Sequence, residues 1–223
     1  GAWLPCFASI AAHFDVLVPD HPGFGRSTDP RLIDDCADLA YFYLDALDVL
    51  GLQRVHVIGH EIGGQTAIEM ALRSSRIASL TLVGSAGLHV DGVPKGDFFI
   101  SRPDELPALF FVDAEAGRAY LESLSVGQDP AIPHRNRVMA ARLAWHPRLI
   151  NPKLGRWLHR VSVPTRLIWG DTDRVIPPQT AQGFLRAMPQ AKLATIANAG
   201  HFPHVERSGA FTDVVLDFLR SPS

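Results

Sequence analysis

The chain has 223 residues, of which 47% are apolar and 20% are charged, and its formal net charge at pH 7 is -2. This composition is typical of a globular protein, and no apolar run approaches the roughly 20 residues that a membrane-spanning helix needs. The 21 lysines and arginines nearly balance the 23 aspartates and glutamates without basic blocks, which disfavours binding to nucleic acid or to an anionic membrane. The N-terminus lacks the charged and apolar regions of a secretory signal, so we expect a cytoplasmic protein.

Cysteine and histidine spacing gives no indication of a metal site. Cys6 and Cys36 are too few for a disulfide framework, and we interpret both as small buried side chains in a reducing compartment. His201 and His204 have a His-x-x-His spacing, but the proline between them would break the helix that aligns two zinc ligands. The glycine-rich loop at 22–27 lacks the strand-to-helix context of a dinucleotide site. We therefore expect neither a metal nor an organic cofactor.

Short apolar strands and amphipathic helices alternate along the first part of the chain, which predicts an α/β fold with a mostly parallel sheet flanked by helices. Residues 16–18 are an apolar run typical of a strand that is buried on both faces. The predicted strands and helices are, in chain order, strand 15–19, helix 32–50, strand 54–59, helix 63–73 and strand 79–84.

The pattern changes after the third predicted strand. Short helical patterns separated by proline and glycine replace the strands, and a strandless segment of this length is typical of an inserted helical cap. These helical patterns lie at 104–111, 114–124 and 135–145. The α/β pattern then resumes with strands at 164–170 and 192–196 and helices at 178–188 and 210–220. We predict a core of residues 1–87 and 161–223, with a cap formed by residues 88–160.

Glu61 is the central residue of Gly-His-Glu-Ile-Gly-Gly, at residues 59–64 between a predicted strand and a predicted helix. The flanking glycines allow the sharp turn of a nucleophile elbow, which raises its central side chain at the carboxyl end of the sheet. That residue is usually serine, so the glutamate departs from the pattern. Taken alone, the motif is also compatible with a glycine-rich helix start that has no chemical role.

Two later segments place acidic and histidine side chains after strands. Asp171 and Asp173 follow the strand at 164–170, and His201 and His204 lie in the loop after the last strand. Ligands of open α/β sheets bind at the carboxyl ends of the strands, where these side chains would meet. A carboxylate beside a histidine holds the ring in one tautomer and stabilises its protonated form, so that the ring can take a proton from water or a hydroxyl.

These motifs make the chain resemble the α/β-hydrolase superfamily over nearly its whole length. The matching segments are Pro-Asp-His-Pro-Gly-Phe-Gly-Arg-Ser at 19–27, the elbow at 59–64, Trp-Gly-Asp-Thr-Asp at 169–173 and Gly-His-Phe-Pro-His-Val-Glu at 200–206. Within the superfamily the chain is most similar to capped bacterial hydrolases of the meta-cleavage-product hydrolase and esterase type.

The resemblance implies roles for individual residues. Asp173 takes the acid position and His201 the base position, whereas Asp171 and His204 lie off the family pattern. The backbone N–H of Ile62 takes the position of an oxyanion donor. Superfamily members also begin with strands and a His-Gly loop that this chain lacks, so we predict that about 30 residues precede residue 1 in the complete protein. Direct pairing of residues 16–18 with residues 55–58 would contradict that prediction.

Glu61 leaves the mechanism open. Its carboxylate could attack an alkyl carbon, as the elbow aspartate does in epoxide hydrolases and haloalkane dehalogenases, with His201 activating water to hydrolyse the ester. It could instead be a general base whose pKa is raised by an apolar pocket, or it could disable the site by pairing with His201. Serine-type attack on an ester is disfavoured because it would form an anhydride-like species.

The sequence therefore predicts a cofactor-independent hydrolase of a small, mostly apolar organic molecule, acting on an ester, C–C, epoxide or related bond. The site residues are Glu61, Asp173 and His201, with Ile62 as the oxyanion donor. The alternative is a catalytically disabled relative that binds a ligand or a protein partner. A homodimer is left open by the sequence.

Overall fold

A computed structural model describes residues 3–124, 126–127 and 129–221. Within these ranges the strands form one sheet in the order β1-β2-β3-β4, with every neighbouring pair parallel. The strands are β1 (Val55–His60), β2 (Ile77–Val83), β3 (Thr165–Gly170) and β4 (Lys192–Ile196). Nearly all side chains of the two central strands are buried, as expected for a parallel sheet covered on both faces. The predicted α/β fold with a mostly parallel sheet is confirmed.

Helices cover both faces of this sheet. They are α1 (Pro5–Ala11), α2 (Cys36–Val49), α3 (Ile62–Arg73), α4 (Leu106–Phe110), α5 (Ala114–Ser123), α6 (Ala131–Ala144), α7 (Gln179–Ala187), α8 (Pro203–Glu206) and α9 (Ser208–Arg220). Alternate side chains of β3 enter different cores, since Leu167 and Trp169 pack with α2, α3 and α7, and Ile168 packs with α1 and α9. Among the described residues, no helix has the length and apolar character that crossing a membrane requires.

Capping determines where the second helix begins. The helix predicted at 32–50 starts at Cys36, because the Asp35 side chain accepts hydrogen bonds from the backbone N–H groups of Ala37 (2.7 Å) and Asp38 (2.9 Å). This is the usual way in which an aspartate satisfies the free N–H groups of a helix start. Gly51 follows the helix with φ of 66°, a backbone conformation that favours glycine.

The strand predicted at 15–19 is absent, so this prediction is wrong. Leu17 is 68% exposed and Val18 47% exposed, and no described residue pairs with the outer edge of β1. An apolar run becomes a strand only where a neighbouring strand supplies its hydrogen bonds, and this run has none. The helical segment therefore follows the second strand rather than the third. Residues 16–18 do not pair with 55–58, and the existence of preceding strands stays a prediction.

The segment between β2 and β3 contains α4, α5 and α6, followed by short 3₁₀ helices at Leu154–Arg156 and Leu158–Arg160. Its two ends meet at a single bridge between Gly87 and Ile150. There the Gly87 N–H donates to the Leu149 carbonyl (2.9 Å), and the Asn151 N–H donates to the Gly87 carbonyl (2.8 Å). The division of the chain into core and cap at residues 88 and 160 stays a prediction.

The helix α6 joins this segment to the glycine-rich loop near the start of the chain. The side-chain oxygen of Asn136 accepts a hydrogen bond from the Gly25 N–H (2.9 Å). Arg142 donates two hydrogen bonds of 2.9 Å to the Asp29 carboxylate, the bidentate geometry that arginine favours. The inserted segment is therefore attached to the rest of the chain through α6 as well as at the two ends of the segment.

Candidate active site

Glu61 occupies a strained turn between β1 and α3, with φ of 53° and ψ of -115°. A positive φ costs a non-glycine residue about 1–2 kcal/mol, and such strain is concentrated at functional sites. The Glu61 N–H donates to the Val83 carbonyl (3.1 Å), and the Glu61 carbonyl accepts from the Ala86 N–H (3.0 Å). Gly59 is required, because a Cβ there would lie 2.3 Å from the Gly63 carbonyl oxygen. The strand, sharp turn and helix of an elbow are therefore all present.

The carboxyl group of Glu61 is not fully hydrogen-bonded. Its Oε1 atom is buried and has no hydrogen-bond partner among the described residues. Burial raises the pKa of this carboxyl above its ordinary value; the His201 ring and the Ile62 N–H oppose the rise, and the charge of Asp173 adds to it. A buried acceptor without a partner costs about 1–3 kcal/mol, so the fold tolerates an unfavourable arrangement here.

Asp173 and His201 form a buried hydrogen-bonded pair. The Nδ1 atom of His201 lies 2.9 Å from Oδ2 of Asp173, and the two residues are only 2% and 3% exposed. The other carboxylate oxygen, Oδ1, accepts hydrogen bonds of 2.9 Å from the N–H groups of Val175 and Ile176. Asp173 is thereby fixed in place by its own loop. With Nδ1 donating to Asp173, the ring nitrogen that can accept a proton is Nε2.

The charge state of His201 reflects opposing effects. Burial disfavours the protonated ring, but the charge and hydrogen bond of Asp173 and the charge of Glu61 outweigh it, so the pKa of His201 lies above its ordinary value. This ring can therefore take a proton and hold it beside two carboxyl groups. No hydrogen bond or ion pair joins the Glu61 and His201 side chains within the described part of the chain.

Gly84 lies against the pair, a position that the sequence motifs did not indicate. Its φ is 46°, and a Cβ there would lie 3.1 Å from Oδ2 of Asp173 and 3.4 Å from Nδ1 of His201. Since β2 lies between β1 and β3, the residue after it is located between the elbow and the acid. In the sequence, Gly84 is recognisable only as a glycine that follows a buried strand. Its position beside Asp173 and His201 cannot be predicted without the order of the strands in the sheet.

Aromatic rings surround His201. The Nε2 atom of His60 donates to the His201 carbonyl (2.7 Å), and the Phe110 ring stacks on the His201 ring at 6.2 Å. Burial first, and then the charge of His201, lower the pKa of His60 well below its ordinary value and that of His204 to about 4. His60 and His204 therefore stay neutral near pH 7, with their rings 4.9 Å apart. Of these three histidines, only His201 is bonded to a carboxylate.

Asp171, the other candidate acid, has a different structural position. It is exposed, and its carboxylate accepts hydrogen bonds from the N–H groups of Asn198 (3.1 Å) and Ala199 (3.3 Å). These bonds hold the turn that precedes His201. Among the described residues, a hydrogen bond joins Asp173 to His201 and none joins Asp171 or His204 to the pair, although the catalytic roles themselves stay predictions.

The linings of two cavities do not include Glu61, Asp173 or His201. One of about 290 Å³ is lined by residues that include Phe111, Tyr120 and Glu206, and another of about 420 Å³ lies around Glu69 and Trp157. Within the described ranges, no group of three or more histidine, cysteine, aspartate or glutamate side chains could hold a metal ion. Cys6 and Cys36 are both buried and unbonded to each other.

The chain belongs to the alpha/beta hydrolase family, whose model matches residues 1–214. An uncharacterized protein of Mycobacterium tuberculosis (strain ATCC 25618 / H37Rv) is 28% identical over 97% of this chain and 71% of the relative. A 2-hydroxy-6-oxononadienedioate/2-hydroxy-6-oxononatrienedioate hydrolase of Pseudomonas putida is 27% identical over 95% of this chain and 79% of its own length.

Solved structures show the same fold. A crystal structure of a variant of the meta-cleavage product hydrolase CumD matches 96% of this chain and 83% of its own, with a TM-score of 0.80 and 22% sequence identity. The predicted resemblance to α/β-hydrolases of the meta-cleavage-product hydrolase and esterase type is confirmed, and the characterised relatives are hydrolases.

Proposed function

We propose that this protein is a cofactor-independent hydrolase of a small, mostly apolar organic substrate, with Glu61, Asp173 and His201 as its catalytic residues. One observation carries the proposal. A strained elbow presents a buried carboxyl oxygen that has no hydrogen-bond partner in the described part of the chain, close enough to the Asp173–His201 pair for their charges to interact. The hydrolase relatives support the same class of reaction.

A covalent route fits the elbow best. Oε1 of Glu61 attacks an electrophilic carbon of the substrate, and a bond forms between that carbon and Oε1. The bond to the leaving group breaks, and the leaving group departs with the electron pair. A carboxylate needs no base for this step, and an oxygen without a hydrogen-bond partner has no such bond to break before it attacks.

Hydrolysis of the resulting ester is assigned to the buried pair. His201 takes a proton from water as the water oxygen attacks the carboxyl carbon of Glu61, and Asp173 stabilises the protonated ring. We assign the Ile62 N–H, which lowers the pKa of the Glu61 carboxyl, to the stabilisation of negative charge there. The bond between the carboxyl carbon and Oε1 then breaks, and the departing alcohol takes the proton from His201.

The surroundings favour a small apolar substrate. The rings of His60, Phe110 and Phe202 lie within 6.2 Å of the His201 ring, centre to centre, and His201 itself is almost fully buried. An enclosure of this kind keeps bulk water away from a reactive ester. Oxo-dienoic acids of the type named for the relatives belong in the substrate panel beside esters, epoxides and haloalkanes.

A disabled, ligand-binding relative is the competing hypothesis. It requires Glu61 to pair directly with His201 and hold the ring protonated. The absence of such a pair among the described residues supports the hydrolase.

The test compares the native protein with Glu61→Ser and His201→Ala on that substrate panel. We expect native turnover that is lost in His201→Ala, together with a covalent adduct on Glu61 in that variant, detected by intact mass. His134→Ala is the matched control, because the His134 side chain is exposed. Turnover without an adduct, and without ¹⁸O from labelled water entering Glu61, would assign Glu61 as a general base. Activity that appears only in Glu61→Ser would contradict the proposal.

A further inference from the structure

Residues 108–112, which we call the strap, comprise the end of α4 and the two residues after it. The strap is bonded to both loops that carry the buried pair. On the histidine side, the backbone N–H of His201 donates to the Phe110 carbonyl (2.7 Å). On the acid side, the Arg174 guanidinium donates to the carbonyls of Ala108 (2.7 Å) and Phe111 (2.9 Å). Arg174 is the residue directly after Asp173.

Glu206 adds a second connection to the histidine loop. Its Oε2 accepts a hydrogen bond from the Gly200 N–H (2.6 Å), and its Oε1 accepts one from the Val112 N–H (2.7 Å). The contact leaves little room, since a Cβ at Gly200 would lie 2.5 Å from the Phe110 carbonyl oxygen. One carboxylate therefore joins the residue before His201 to the far end of the strap.

We propose that Glu206 and Arg174 are positioning residues that hold His201 and Asp173 at hydrogen-bonding distance by fastening both of their loops to the strap. The catalytic consequence rests on the proposed function, whereas the positioning itself does not.

These hydrogen bonds could position the two loops, or they could only supply partners for backbone N–H and C=O groups. Their chemistry favours positioning. Val112 is 38% exposed, so water could satisfy its N–H, yet that group bonds to a carboxylate 94 residues away along the chain. Hydrogen bonds to a carboxylate are shorter and stronger than those between neutral groups. A misplacement of about 1 Å in a catalytic group can lower the rate by about 10²-fold. Fastening both loops to the strap would therefore protect the rate of the reaction.

The experiment is a pH titration of the His201 ring by NMR in ¹⁵N-histidine-labelled protein, which needs no substrate. Glu206→Gln keeps the side-chain size but leaves one acceptor oxygen for two N–H groups. Val112→Pro removes only the N–H donor and keeps the Glu206 charge. It suits the site because Phe111 has φ of -120° and ψ of 152°, the conformation favoured before proline.

We expect each variant to lower the pKa of His201 by about 0.5 or more, a threefold change in proton affinity, because the contact with Asp173 loosens while burial persists. Arg174→Met sharpens the test. If Arg174 acted only through its positive charge, its removal would raise the pKa of His201. If Arg174 positions the Asp173 loop, its removal loosens the Asp173–His201 pair and lowers that pKa. Glu115→Gln and Arg118→Met are matched controls, since both side chains are exposed on α5 next to the strap.

A pKa of His201 that is unchanged or raised in both Val112→Pro and Arg174→Met, with native circular dichroism, would overturn the proposal. If one of these variants fails to fold, the other decides.

The same variants are then assayed on any substrate that the panel identifies. Their kcat should fall about tenfold or more, with KM within about twofold of the native value. A lowered pKa of His201 in a protein that turns nothing over would contradict the proposed function and leave the positioning role intact.

Discussion

Glu61 and Asp173 each follow the carboxyl end of a strand in the same sheet, yet their surroundings differ, because Asp173 is buried whereas Glu61 is partly exposed with one buried oxygen. Asp173 has a partner for each oxygen, namely two backbone N–H groups and the His201 ring. Glu61 lies on a strained backbone, and one of its oxygens has no hydrogen-bond partner among the residues that the structure describes. The acid loop is thus organised in advance, while the elbow retains an unfavourable arrangement that a substrate atom could relieve. Variants that change one of the two regions at a time test this contrast.

The largest change in stability is expected for Asp173→Asn. An amide has one acceptor oxygen, so it cannot serve both the N–H groups of Val175 and Ile176 and the Nδ1–H of His201. We expect the free energy of unfolding to fall by about 1–3 kcal/mol, measured by urea denaturation. Asp171→Asn is the control and should lose less, because Asp171 is exposed. Equal losses in the two variants would show that the buried hydrogen bonds have no special weight.

The same chemical change at the elbow should have the opposite sign. Burial raises the pKa of Glu61, so the ionised form is disfavoured in the folded state. Glu61→Gln should therefore raise the free energy of unfolding at pH 8 by about 1 kcal/mol. The gain should disappear below about pH 4, where the carboxyl is protonated in both states. A loss of stability at pH 8, with no such loss in Glu115→Gln, would contradict the contrast between the two carboxyl groups.

The backbone strain at the elbow can be measured separately from its charge. Because φ at Glu61 is 53°, Glu61→Gly should be more stable than Glu61→Ala by about 1 kcal/mol. At Glu115, on an ordinary helix, the order should reverse by a similar amount of about 1 kcal/mol. Thermal unfolding of the four variants gives the comparison. The same order at both positions would mean that the turn is unstrained.

The smallest effect concerns pH. The folded-state pKa of His201 is raised, so the pair contributes stability that is fully present below the unfolded pKa, about 6.5, and is lost as pH rises through the folded pKa. The stability difference between native protein and His201→Gln should therefore shrink between pH 6 and pH 9. His134→Gln is the control for loss of an imidazole at an exposed position. A difference that grows with pH would refute the assignment.

Features that depend on a few neighbouring residues could be predicted from the sequence. The strands and helices around the elbow and the order of elbow, acid and histidine follow from local patterns. The choice of Asp173 over Asp171 came from the family resemblance, and the structure supplies a physical reason, since Asp171 is engaged with the turn at 198–199.

Features that depend on distant parts of the chain could not be predicted. The run at 15–19 has the pattern of a strand, but within the described ranges it has no neighbouring strand to pair with. The position of Gly84 beside the pair follows from the location of β2 between β1 and β3. The bond from Glu206 to the Val112 N–H joins residues 94 positions apart, and nothing in either local sequence indicates it.

The bridge between Gly87 and Ile150 has a consequence for variation among related proteins. Because the polypeptide leaves the sheet and returns to it at almost the same place, the excursion between these points can lengthen, shorten or change its sequence without moving β2 relative to β3. The inserted segment can thus diverge while the sheet and the loops that carry Glu61, Asp173 and His201 keep their positions, a route by which one scaffold takes on new functions.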